Sequence, residues 1–117
     1  MRKGFVAVLT AVVAFVALAA CSVILGNKRP VASFSAIPSS GTSPLDVSFD
    51  ASASYDPDGT VAGYHWDFGD GQSMSNTVAP HHQYTVQSAA KTFKAVLTVI
   101  DDQGSTDSAK EKIRVSP

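Results

Sequence analysis

WDFGDG, residues 66–71, runs an alternating aromatic pattern straight into two carboxylates and two glycines. Trp66 and Phe68 are two residues apart and Tyr64 precedes them by the same step, so all three share one face of an extended chain. Gly69, Asp70 and Gly71 then supply what a tight reversal needs: glycines that accept positive φ and a short carboxylate that bonds nearby backbone amides. The stretch predicts a buried strand that ends in a corner, with a structural task for Asp70. His65, out of phase with its aromatic neighbours, is expected to face solvent.

Outward from this corner, apolar residues recur at every second position: Ala32, Phe34 and Ala36, then Leu45, Val47, Phe49 and Ala51. The longest run, KTFKAVLTVID at 91–101, puts Phe93, Ala95, Leu97 and Val99 on one face and Lys94, Val96, Thr98 and Ile100 on the other. It reads as a central strand covered on one side and half covered on the other. KEKIRVSP at the end of the sequence turns Ile113 and Val115 inward and Lys112 and Arg114 to water. Between the runs stand turn-forming clusters: SSGTSP at 39–44, DPDG at 56–59, GDG at 69–71 and DDQG at 101–104. No long segment has the period of an amphipathic helix. About seven short strands punctuated in this way predict an all-β sandwich of two antiparallel sheets. Alternation buries most of the aromatic residues, although it does not place Tyr55 or Tyr84.

The first residues carry Arg2 and Lys3, an apolar run from Gly4 and then small side chains, the layout of an export signal. Leu18, Ala19, Ala20 and Cys21 resemble the bacterial lipobox, which implies cleavage before Cys21 and a diacylglycerol on its thiol. The organisation expected is a signal at 1–20, the lipidated cysteine and a short tether at 21–29, and a folded domain at 30–117. Because the apolar character continues from Ser22 to Gly26, an uncleaved single-pass anchor is the alternative. In its usual orientation that anchor also leaves the domain outside the cytoplasmic membrane. Ser22 after the cysteine implies, by the usual sorting pattern, the outer membrane in a Gram-negative cell. Cys21 is the sole cysteine, so the core forms without a disulfide, and an acylated sulfur offers no thiolate.

The 117 residues carry 9 Lys plus Arg against 10 Asp plus Glu, a formal charge of −1. Removal of the signal takes away Arg2 and Lys3 and leaves 7 cations against 10 anions, or −3. No basic run exceeds Lys28–Arg29, which speaks against nucleic acid as a partner.

Together, NKRPVASF, SPLDVSFDASAS, SYDPDGTVAGYHWDFGDG, PHHQY and TFKAVLTVIDDQG follow one another in an order and spacing that resemble the polycystic kidney disease (PKD) domain, an immunoglobulin-like sandwich of secreted and surface proteins. The resemblance covers residues 27–115. It departs from the family pattern at Lys91, where a glycine is usual, and in a longer loop at 85–90. By this resemblance Trp66 stands where immunoglobulin domains keep their core tryptophan, and His82 makes a structural hydrogen bond.

Asp56 and Asp58, on either side of Pro57, offer two hard oxygen donors of the kind Ca2+ prefers. Resemblance to the calcium-binding PKD domains of bacterial collagenases adds Asn27, the carbonyl of Lys28 and Asp101, giving the set Asn27, Lys28, Asp56, Asp58 and Asp101. The plain alternative is a turn at DPDG and a hairpin cap at Asp101. An EF-hand starting at Asp56 fails, because its sixth position is Val61 and no helices flank it. His65, His81 and His82 lack the cysteines or second spaced pair that zinc requires. No GxSxG elbow supports a hydrolase, and so small a sandwich has little concavity to exclude water.

The expectation is a non-catalytic lipoprotein that is held to the membrane through Cys21 and displays one PKD domain to an envelope protein or polysaccharide. An envelope spacer, or an accessory fragment of a larger exported hydrolase, is the alternative.

Overall fold

The computed structural model describes residues 27–117. The expected signal at 1–20, Cys21 and the expected tether as far as residue 26 lie outside the described residues. Eight strands form: β1 (Ser35–Ile37), β2 (Ser40–Thr42), β3 (Leu45–Asp50), β4 (Val61–Asp67), β5 (Ser73–Ser75), β6 (His81–Tyr84), β7 (Lys91–Asp101) and β8 (Thr106–Ser116). They make a three-stranded sheet, β1-β3-β6, and a five-stranded sheet, β2-β8-β7-β4-β5. The fold is the all-β sandwich that the alternation predicts.

One pairing departs from the antiparallel expectation: β2 runs parallel to β8, with Gly41 opposite Val115. Its sequence, SGT, has no apolar alternation to read and lies between Pro38 and Pro44, each without an N–H to continue a ladder. Here the chain leaves the three-stranded sheet, pairs briefly with the other and returns. The first expected strand is also shorter than its alternation, since only Ser35–Ile37 pair with β3. Upstream, Val31 forms an isolated bridge with Tyr55, through bonds of 2.7 and 3.1 Å.

The alternating residues of β3, β4, β7 and β8 meet between the sheets. Val47, Phe49, Trp66, Phe68, Tyr84, Leu97, Val99, Ile113 and Val115 are each at most 1% exposed. Trp66 sits among Phe34 (5.1 Å, edge-on) and Phe49 (5.4 Å), and its indole N–H donates to the Thr77 carbonyl at 2.8 Å. That bond satisfies the one polar atom which a buried tryptophan brings. The other face of β7 is half covered as expected, with Val96 and Thr98 partly buried and Ile100 exposed.

Candidate metal centre

The turn of the β7–β8 hairpin and the DPDG loop close over the entry of Asn27. Asp101 ends β7 with its side chain 2% exposed. Its Oδ1 accepts the N–H groups of Gln103 (2.9 Å) and Ser105 (2.8 Å), which fixes the turn together with Gly104 at φ 90°. A bulge at Ala62 shifts the β4–β7 register so that Val61, not Ala62, faces Asp101. This brings the preceding DPDG loop against the hairpin turn, where the Asp102 N–H reaches the Thr60 carbonyl at 3.2 Å.

Asp56, Asp101 and Asp102 thereby converge, with one oxygen of each within 4.8 Å of the others. Asp102 was not among the residues that the sequence marked. No side chain separates the three, because a Cβ on Gly59 would lie 2.7 Å from Asp102 Oδ1 and 2.8 Å from Asp56 Oδ2. Asn27 joins from the other side, donating its amide N–H to Ser105 Oγ at 2.6 Å. Lys28 enters through its backbone N–H, donated to Asp58 Oδ2 at 2.8 Å. The five residues of the expected set lie at one end of the sandwich, but the carboxylates that converge are those of Asp56, Asp101 and Asp102, while Asp58 instead ties the Asn27–Lys28 segment to the loop.

The oxygens left over are informative. Asn27 Oδ1, Asp56 Oδ2 and Asp101 Oδ2 are buried and have no hydrogen-bond partner. Buried acceptors without donors are costly, and adjacent carboxylates more so. Burial, reinforced by Asp58 and by the charge of Asp101, holds the Asp56 carboxyl above its ordinary value. Burial also acts to raise Asp101, but the N–H groups of Gln103, Ser105 and Gly104 and the amide of Asn27 outweigh it and hold that carboxyl below the ordinary range. The donors are all hard oxygens, as Ca2+ requires, and a cation held between the carboxylates of Asp56 and Asp101 would meet oxygens that no hydrogen bond satisfies.

The corner at the other end of β4 is a structural device. Gly69 and Gly71 take φ of 84° and 90°, as their positions predict. Asp67 Oδ1 accepts the Gly69 N–H and Asp70 Oδ1 the Gln72 N–H. Asp70 Oδ2 meets His82 Nε2 at 2.7 Å, across to the other sheet. Tyr84, which alternation did not place, is fully buried and donates its hydroxyl to the Phe68 carbonyl at 2.9 Å.

The histidines do not assemble. Strand alternation in β6 sends His82 to the corner and His81 to the opposite face, where it meets Ser48 at 3.1 Å. His65 is exposed and pairs with Ser75 at 2.7 Å. Both Ser–His pairs are neighbours in strand register.

Comparison with known proteins agrees with this architecture. A family model described as the PKD domain matches residues 27–116. The chain is 36% identical over 70 residues to collagenase ColA of Clostridium perfringens and 42% identical over 62 residues to pre-pro-metalloprotease PrtV of Vibrio cholerae, matches that take in 60% and 53% of this chain. It spans only 6% of the length of each. Among solved structures, the PKD1 domain of Vibrio anguillarum Epp superposes with a TM-score of 0.63 at 36% identity, over 78% of this chain and 98% of that one. A structure of carbohydrate-binding modules from the β-sandwich superfamily gives 0.67 at 38% identity, over 78% and 36%. With its corner, its core tryptophan and nearly all its described length matched, this chain belongs to the PKD domain family.

Proposed function

We propose that the chain displays its PKD domain outside the cytoplasmic membrane as a non-catalytic interaction module, held by a lipid on Cys21 and stiffened by one Ca2+. The observation that carries the calcium reading is the set of three buried, unpaired oxygens on Asn27, Asp56 and Asp101. Bound there, the ion would supply positive charge to carboxylates that otherwise repel, and would join the first described residues to the hairpin turn. Asn27, Asp56, Asp58 and Asp101 are the side chains that would hold it, with Asp102 beside them and the Lys28 carbonyl as the main-chain donor. The module reading draws on the relatives, large proteases of which a segment like this one is a small part, and on the carbohydrate-binding modules that share the fold. Its partner is an envelope protein or polysaccharide. The lipobox-like LAAC at 18–21 supports the anchor, and Ser22 supports the outer membrane in a Gram-negative cell.

Two measurements test this. The unfolding midpoint of residues 27–117 in ~10 mM Ca2+, far above the usual dissociation constants of extracellular calcium modules, should exceed that in chelator. An unchanged midpoint removes calcium. Metabolic labelling of the full chain with palmitate should be lost in Cys21→Ser, and retention of the chain in the membrane without label would instead establish the uncleaved anchor. A second reading, a spacer or an accessory piece of a larger exported hydrolase with no ligand of its own, is favoured by the small share of ColA and PrtV that the chain spans.

A further inference from the structure

The outward face of the five-stranded sheet collects cations that the sequence disperses. Residues opposed across an antiparallel pair share a face, and Lys94 is opposite Lys112, Val96 opposite Lys110 and Thr92 opposite Arg114. All four cationic side chains are exposed. Among the described residues none of them is in an ion pair, the one such pair being His82–Asp70. Four of the seven cations in residues 27–117 thus crowd one end of one hairpin in a domain of net negative charge. Like charges directly opposed weaken a sheet, so Lys94 beside Lys112 is a local liability that an anionic partner would turn into attraction.

The acidic cluster does not neutralise this patch. Asp101 and Asp102 lie at the turn of the same hairpin, and the strand from Lys94 to Asp102 spans eight residues, ~27 Å, about three Debye lengths at physiological salt. Lys28 and Arg29, at the acidic end, are equally remote.

We infer that this face binds an acidic polysaccharide, with carboxylates on Lys94, Lys110, Lys112 and Arg114. Lys110, Lys112 and Arg114 recur at every second residue of β8, ~6.8 Å apart, so they form a straight row suited to an extended polymer. An open groove of about 460 Å³ runs beside them, lined by Ser39, Lys94, Lys110, Glu111 and Lys112. Glu111, opposite Ala95 in register, belongs to the other face of β8, so the Ser39 hydroxyl is the neutral partner that the groove offers to sugar hydroxyls beside the cations. A nucleic acid would call for exposed aromatic platforms, and the residues interleaved with the cations are Thr92, Val96 and Thr98. A lipid surface is disfavoured by position, because Asn27, from which the chain continues toward Cys21, is bonded to Ser105 at the opposite end of the hairpin. This inference rests on the interaction-module reading and narrows its partner.

The test uses residues 27–117, which contain the whole buried core and correspond to PKD1 domains solved as chains of similar extent. Affinity electrophoresis at low salt is run against polygalacturonate, neutral dextran, phosphatidylglycerol vesicles and oligo-dT. Polygalacturonate should retard the domain, and retardation should fade as salt rises from ~0.05 to ~0.5 M. Lys94→Gln with Lys112→Gln should weaken it about tenfold without lowering the unfolding midpoint, whereas Lys28→Gln with Arg29→Gln should leave it unchanged. Equal retardation of the Lys94/Lys112 variant, or tighter binding to vesicles or oligo-dT, overturns the inference. Retardation by dextran alone overturns it too but leaves the module reading standing, and no retardation by any probe leaves the spacer.

Discussion

His82 lies flat on Phe68, ring centroids 4.0 Å apart and planes 4° from parallel, while its Nε2 reaches Asp70 at 2.7 Å. Phe68 and Asp70 belong to the corner after β4, and His82 belongs to β6 in the opposite sheet, so one side chain holds the two sheets together at the turn. Tyr84, two residues on, does the same through the Phe68 carbonyl. His82→Ala should cost about 1–3 kcal/mol, as stacking and a charge-assisted hydrogen bond are both lost. Denaturant unfolding at neutral pH measures it, and a cost near zero would mean that the corner holds without β6.

Tyr84 adds a pH dependence of known sign. Burial, and then the charges of Asp70 and Asp67, push its phenol well above the ordinary value of 10.0. Above pH 10 the unfolded chain therefore loses a proton that the folded chain keeps, and unfolding becomes easier. The stabilisation is whole below pH 10 and drains away as pH rises past it. In Tyr84→Phe this alkaline slope should shrink by one proton, while stability at neutral pH falls by about 1–2 kcal/mol because the Phe68 carbonyl loses its donor.

Gly69 and Gly71 share a positive φ but differ in their surroundings. A Cβ on Gly69 would strike the Lys94 carbonyl, and nothing lies within 4 Å of one on Gly71. Gly71→Ala should therefore cost only the conformational penalty, about 1–2 kcal/mol. Gly69→Ala should cost at least twice that, since the corner must also move away from β7. Thermal unfolding of the two variants side by side checks the difference.

How much of this was legible in the sequence depended on period and on distance along the chain. KTFKAVLTVID showed its strand because alternation is a local signal, and the observed β7 has the same bounds. SGT at 40–42 read only as part of a turn cluster and is instead a strand, since three small polar residues carry no alternation and their pairing with β8 is decided by prolines and by a partner 74 positions away. At the acidic end, DPDG itself marked Asp56 and Asp58 and resemblance added Asp101, whereas Asp102 was hidden: its carboxylate meets those of Asp56 and Asp101 only because Gly59 leaves room and the bulge at Ala62 sets the register. The cationic row was concealed for the converse reason. KEKIR mixes signs along the chain, and only pairing with β7 brings Lys94 beside Lys112.

Trp66 has no exposed surface and touches aromatics from both sheets. Trp66→Ala should cost ~3–5 kcal/mol, enough to unfold a domain with so little core to spare. Near-ultraviolet circular dichroism should then show loss of fixed aromatic packing. Trp66→Phe keeps most of the apolar volume but leaves the Thr77 carbonyl without its donor, so it should fold with a midpoint lowered by an amount equivalent to about 1–3 kcal/mol.

The calcium reading makes a sharper demand than a rise in midpoint. At ~100-fold excess over Kd, an ion bound only by the folded state contributes about 2.7 kcal/mol, or roughly ten degrees or more for a domain of this size. In the metal-free domain, Asp56 is held above its ordinary 3.8, so its ionisation costs stability above that value and the cost is relieved as pH falls through the raised one. Asp101, held below 3.8, contributes stability that is lost only under more acidic conditions. Protons therefore compete with calcium first at Asp56, and the calcium-dependent rise should shrink as pH drops from neutrality toward 4 while Asp101 still holds the hairpin. Asp101→Asn keeps an oxygen for the Gln103 and Ser105 amides and removes one negative charge, so it should fold yet respond weakly to calcium. Differential scanning calorimetry with and without calcium across this pH range reads both effects. A calcium increment that is independent of pH, or undiminished in Asp101→Asn, would place the ion elsewhere on the molecule.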